Sequence, residues 1–280
     1  MAIVNTHYGF CARGAAVKFT YTGEYNVRDD GVVELLTSGT IVFLEPTFID
    51  VFCVGGGARG GVPALGSLAL VNGNGSGGGG GGYTTTGREL SVSGSYKSVV
   101  GAGAENYGEA GGISSFGDLV HANGGVGITA ATTGGSRIGG NGGSGGGGGV
   151  ASNSDLGAGG SDGANGEKGL SGNFTPNGGA GQGTTTREFG EASGKLYSGG
   201  GGGGRYIYSQ TPVTSMGGIG GGGSGGWVGG QNLTKSAGAG GANTGGGGGG
   251  GACYAVPGAN TVRVEGGSGG SGIVCFRVAK

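Results

Sequence analysis

The side chains with the most chemistry to offer gather around residues 199–227. Six glycines, Gly199–Gly204, lead into Arg205-Tyr-Ile-Tyr-Ser-Gln-Thr-Pro-Val-Thr-Ser-Met216, after which glycine resumes as far as Trp227. Tyr206, Ile207, Tyr208, Met216 and Trp227 flank this glycine segment, and Phe174, Phe189, Leu196 and Tyr197 lie in the loops before it. Tyrosine, tryptophan and methionine are enriched at recognition surfaces, and aromatic rings also stack on sugars. The candidate binding residues are therefore Tyr206, Ile207, Tyr208, Met216, Trp227, Phe174, Phe189 and Tyr197. A competing reading has the same side chains covering the ends and sides of whatever the glycines fold into. Exposure separates the two.

Catalytic constellations are scarce. Gly190-Glu-Ala-Ser-Gly-Lys195 has the outline of a phosphate loop, but only three residues separate its glycines and Leu196 stands where a hydroxyl should hold magnesium. Gly159-Gly-Ser-Asp-Gly163 is like a calcium-binding nonapeptide, yet it occurs once with its aspartate out of register. His7 and His121 have no evident nucleophile or carboxylate partner. Cys11, Cys53, Cys253 and Cys275 form no CxxC pair and read as small apolar thiols in strands. No catalytic residue, metal or cofactor is expected, and the chain does not read as an enzyme.

The elements that must position the aromatic residues are the glycine runs. Glycine is 86 of 280 residues, and residues 1–54 hold only five of them. Collagen needs glycine at every third position and abundant proline. Five prolines and the unbroken run Gly245–Gly251 exclude it. Disorder usually combines low hydrophobicity with high net charge, whereas this chain has net charge −1, 34% hydrophobic and 11% charged residues. The charge balance and the lack of a basic cluster argue against nucleic-acid binding. No apolar run is long enough for a membrane span, and the N-terminus lacks a signal-peptide pattern.

Residues 1–14 read as an attachment segment. Residues 15–54 read as short strands: Ala16–Tyr21, Tyr25–Val27, a hairpin turn at Asp30-Gly31, Val32–Leu36, and Thr40–Leu44. Pro46 is expected to break the last of these before Phe48–Val54, whose apolar residues on both faces predict a strand covered on both sides. Leu65–Val71 is a possible strand, a hairpin around Ser93-Gly94-Ser95 is expected within about 88–122, and Phe116–Ala122 is a further candidate strand. Residues 123–261 show no convincing strand or helix. Gly272–Val278 emerges from glycine as a strand, the mirror of Phe48–Gly55 entering it. The two are expected to pair, so that 272–280 completes the 15–54 base and 55–271 is an insertion anchored at both ends.

An ordered glycine run can adopt polyglycine II, with three residues per turn and about 3.1 Å rise. Such rods have no internal hydrogen bonds and can bond only to neighbours. An interior rod must be all glycine; a surface rod can carry side chains outward. The predicted fold is all-β plus polyglycine II, with essentially no α-helix: a small β-sandwich base and a long inserted bundle.

Phe48-Ile-Asp-Val-Phe-Cys-Val-Gly-Gly-Gly57, the run Gly77–Gly82 followed by Tyr83-Thr84, and the ending Gly-Gly-Ser-Gly-Ile-Val-Cys-Phe-Arg-Val278 resemble glycine-rich phage tail and virion proteins. The chain is similar in principle to polyglycine II tail-fibre tip adhesins, and in architecture to the glycine-rich region of anaplastic lymphoma kinase-type receptors. The resemblance implies a virion protein made in the host cytoplasm, a tail-fibre or tail-tip adhesin binding a host surface glycan or protein through loops between rods. It further implies other virion proteins as partners of the N-terminal region, with a homotrimer as a possible assembly. The alternative it leaves open is a non-adhesive capsid decoration or fibre spacer.

Overall fold

The computed structural model describes residues 7–9, 17–63, 72–128, 137–150, 186–207, 215–229, 233–255 and 261–280. A nine-stranded sheet forms the base. Its strands are β1 (His7–Gly9), β2 (Val17–Tyr21), β3 (Tyr25–Val27), β4 (Val33–Leu35), β5 (Gly39–Val54), β7 (Thr84–Val99), β8 (Ser114–Phe116), β9 (Val120–Ala122) and β15 (Ile273–Val278). The order β3-β4-β15-β5-β7-β8-β9 places β15 beside β5. Ile273 pairs with Val54 and Val278 with Ile49, so the strand leaving the base for glycine and the strand returning from it are antiparallel neighbours, as expected.

The sheet is bent into a sandwich. Phe19 on β2 pairs with Phe43, and Phe276 on β15 pairs with Val51, eight residues further along β5 (51 − 43). A straight strand would hold those levels about 27 Å apart. The two rings lie 5.3 Å apart, edge to face, so β5 must fold back. The fold falls at the register shift between Phe43 and Thr47, where Leu44, Glu45 and Pro46 are exposed. Pro46 therefore does not end a strand. It occupies the stretch of β5 where no ladder N–H is needed.

β7 bends with its partner. It pairs with β5 from Thr84↔Val54 to Ser98↔Gly39, so the hairpin expected around Ser93-Gly94-Ser95 is instead one long strand with Gly94 at φ +73°. The two halves of β7 pair with the two halves of β5 rather than with each other. Phe116–Ala122 is likewise not one strand: Gly117, at φ +51°, turns β8 into β9.

Val17, Phe19, Ile41, Phe43, Phe116 and Val120 from one layer meet Val33, Leu35, Ile49, Val51 and Phe276 from the other in the main core. Phe52, Val54, Ile273 and Cys275 point to the opposite face, where Phe189 and Tyr197 cover them. The strand Phe48–Val54 is thus buried on both sides over its second half.

From this base the glycine segments run out as a bundle of rods. The N–H groups of Gly55, Ala58 and Gly61 donate to the carbonyls of Tyr83, Gly80 and Gly77 at 2.9–3.0 Å. Ser76, Gly79 and Gly82 donate to Gly251, Gly248 and Gly245, and Gly75, Gly78 and Gly81 to Val150, Gly147 and Ser144. Every series advances three residues at a time on both partners, the repeat of polyglycine II. None of Gly77–Gly82, Gly199–Gly204 or Gly246–Gly251 lies in the left-handed region.

The longest unbroken runs are the most enclosed. Gly77–Gly82 is surrounded by 55–61, 123–125, 137–143, 144–150, 198–204 and 245–251. Gly246–Gly251 is surrounded by 55–61, 76–82, 199–204, 222–226, 238–241 and 266–270. A Cβ on Gly78 would come within 2.1 Å of the Gly201 oxygen, and one on Gly247 within 2.1 Å of the Gly79 oxygen. The Cα hydrogens therefore point at carbonyls, making Cα–H···O contacts of about 0.5–1 kcal/mol each. Outer segments carry their side chains to solvent, as do Val126, Ile138 and Met216.

Candidate recognition end

Opposite the base, the rods end in two three-stranded sheets. One orders β10 (Arg205–Ile207), β11 (Trp227–Gly229) and β12 (Thr234–Lys235); the other orders β14 (Val262–Val264), β13 (Ala252–Ala255) and β6 (Asn72–Gly75). Nothing in the sequence pattern marks β10–β14. They are two to four residues long, too short for a period to register, and each begins where a rod has already brought its partner alongside.

The two sheets face each other across a small core of Tyr206, Val228, Ala252 and Val264, with Tyr254 and Val262 packed against it. The Tyr206 and Tyr254 rings stack 4.6 Å apart and 8° from parallel. Gly73 makes room for that stack, since a Cβ there would fall 1.9 Å from the Tyr206 ring.

The aromatic residues singled out in the sequence do not form one surface. Tyr206 and Trp227 belong to this end but are 6% and 1% exposed. Phe189 and Tyr197, 1% and 0% exposed, lie at the base, with ring centroids 6.1 and 5.5 Å from Phe52. These four support the fold from inside it; as placed, none offers a contact surface. Met216 is 66% exposed on an outer rod. Ile207 is described only as part of β10, and Tyr208 and Phe174 lie outside the described residues. So does the strand expected at Leu65–Val71.

The span carrying Phe189 and Tyr197, residues 186–197, is clamped to the base by two arginines. Arg28 reaches both oxygens of Glu188 at 2.9 and 2.6 Å, and also Glu34 and Asp30. Burial opposes its charge, but the hydrogen bonds it donates to Asp30 and Glu188 hold the guanidinium above its usual range. Arg277 reaches both oxygens of Glu191 at 3.0 and 2.7 Å, bonds Asp50, and lies 4.1 Å over the Phe189 ring. The Arg277 hydrogen bond pulls the Glu191 carboxyl down to about 2, against the effect of burial and with help from Lys280.

The outer face of the other layer carries an open groove of about 550 Å³ lined by Ser95, Lys97, Ser115, Asp118, Leu119 and His121, among others. Ser115 faces His121 across β8 and β9, but no hydrogen bond joins these two or Asp118. Among the described residues no group of three or more His, Cys, Asp or Glu could hold a metal. Cys53, Cys253 and Cys275 are buried, and burial pushes the Cys53 thiol up to about 12. Cys11 lies outside the described residues.

The glycine-rich domain family matches residues 36–279, most of the base and the whole bundle. The chain belongs to this glycine-rich domain family. No curated protein and no solved structure matches it. The match spans the rods and the strands that anchor them, β5 and β15, and its description names no activity.

Proposed function

We propose that this glycine-rich domain is a display scaffold, a phage virion protein acting as a tail-fibre or tail-tip adhesin that binds a host surface glycan or protein. The observation carrying this reading is topological. The far end of the rods gathers the strands β6 and β10–β14, while the base gathers the strands β1–β5, β7–β9 and β15. A rigid bundle separates an attachment base from a presented tip, and the N-terminal region is the part suited to other virion proteins. Binding residues are disproportionately carried on loops held by rigid scaffolds.

Burial of Tyr206 and Trp227 moves the proposed contacts to Met216 and to Tyr208, which follows β10 directly. Replacing Tyr208 and Met216 with alanine is expected to weaken binding of the purified chain to host cells at least tenfold without changing its melting temperature. Unchanged binding would sink the assignment of these residues. The second reading, a non-adhesive decoration or spacer, draws on the fact that the described aromatic residues of the set serve the core. Labelled particles decide between them: an adhesin sits at tail extremities, a decoration on the head.

A further inference from the structure

Arg205 is a buried charged side chain of the far end that the described fold leaves unexplained. It is 1% exposed, and its Nε, Nη1 and Nη2 have no hydrogen-bond partner among the described residues. The other large buried guanidinium shows the contrast: Arg277 spreads its charge over Asp50 and Glu191. Burial pushes the Arg205 pKa down, but from an ordinary value so high that the group stays a cation at neutral pH. An uncompensated buried charge is destabilising by more than a single hydrogen bond returns.

A second unmet donor stands beside it. Arg205 pairs in parallel register with Trp227, and Val150 bridges to Arg205 on the other side. Register partners share a face, so these three side chains project opposite to Tyr206 and Val228, which fill the small core. The Trp227 indole N–H, on a side chain 1% exposed, also has no acceptor. Nor has the buried Ser215 hydroxyl; the Ser215 carbonyl accepts from Gly225, two residues before Trp227. A cation and an N–H in register on one face make a set of donors without an acceptor among the described residues. A guanidinium fork matches two oxygens of one ligand, and the indole can add a third bond.

We propose that Arg205, with the Trp227 indole N–H, binds an oxygen-bearing anion, a small oxyanion or a carboxylate, inside the far end of the bundle. The site goes beyond the display reading, because it exists whether the tip meets a cell or another virion protein.

Thermal unfolding of the purified full chain in potassium phosphate, sodium acetate and potassium chloride, at equal ionic strength and pH, tests it. The midpoint is expected to rise on the order of 5–10 °C at a hundredfold excess over Kd. A response to phosphate alone identifies an oxyanion site, and one to acetate alone a carboxylate site. Arg205→Met should lose the response while melting in chloride no lower than the wild type, since it removes an unpaired charge. Arg205→Lys should keep a weaker response. If Arg205→Met does not fold, Trp227→Phe decides, because it removes only the indole donor and should reduce the response. Equal wild-type midpoints in all three salts overturn the proposal, as does an undiminished response in Arg205→Met or Trp227→Phe. So does a variant of the acidic residues of 151–185, which lie outside the described residues, combining Asp155→Asn, Asp162→Asn and Glu167→Gln, if it lowers the chloride midpoint of the wild type but not that of Arg205→Met. That result would place the counter-charge within the chain.

Discussion

Glu191 and the cysteines show how the base sets the chemistry of single side chains. The Glu191 carboxyl is held at about 2 chiefly by the Arg277 hydrogen bond, below its ordinary 4.5. A depressed carboxylate contributes stability that is complete above the unfolded pKa and is lost as pH falls through the folded one. Glu191→Gln is therefore expected to lower stability at pH 7 by on the order of 1 kcal/mol. It should also flatten the acid slope between about pH 4.5 and 2, which urea titrations across that window would show. The thiols behave oppositely. Cys275 is pushed well above its ordinary pKa by burial, and Cys53 and Cys253 are raised for the same reason. Iodoacetamide at pH 8 should leave all three unmodified in the native chain and label them in urea, as read by mass spectrometry. Residue type alone does not separate recognition from burial at this scale, for a physical reason. A ring that would suit a sugar suits a gap between sheets equally, and only the facing direction, set by three-residue strands, decides.

At the scale of elements, side-chain-free runs turned out to be the most informative part of the sequence. Uninterrupted glycine marked the rods enclosed on every side, because any Cβ there meets a carbonyl. Gly248→Ala puts a methyl 2.0 Å from the Gly267 oxygen. It is expected to be destabilising by about 3 kcal/mol or more, at the upper end of overpacking. Gly94→Ala meets nothing within 4 Å and strains only the backbone at φ +73°. Its expected cost is about 1–2 kcal/mol. Denaturant unfolding of the two variants gives the comparison, and equal losses would contradict the enclosure of the 245–251 rod. The strand-to-glycine junctions at Val54 and Ile273 were equally legible, since apolar residues on both faces demanded cover from two sides. The bends in β5 and β7 were not. Proline and glycine in a strand look like terminators unless the partner is known to bend at the same level.

For the whole molecule, base and bundle are expected to unfold as one unit. β15 pairs with β4 and β5 and continues back into the rod at 266–272, so damage to the base reaches the rods directly. Phe276→Ala, which empties a site contacting Phe19, Phe43 and Phe116, is expected to lose about 3–5 kcal/mol. Amide exchange in Gly246–Gly251 should rise together with that in β5. In the wild type those glycine amides should be strongly protected although they belong to no helix or sheet. Immediate exchange there would refute the ordered bundle.

The uniformity of the rods has a cost of its own. A glycine run slid by three residues, about 9 Å, presents the same donors and acceptors to its neighbours. Nothing within Gly77–Gly82 or Gly246–Gly251 distinguishes one alignment from the next. The distinction has to be written at the ends. Asn243 bonds Leu36 and Gly272 at 2.7 and 3.2 Å, Arg28 holds Glu188, and β15 holds the rod that follows Glu265. The base sets the phase of rods that carry none.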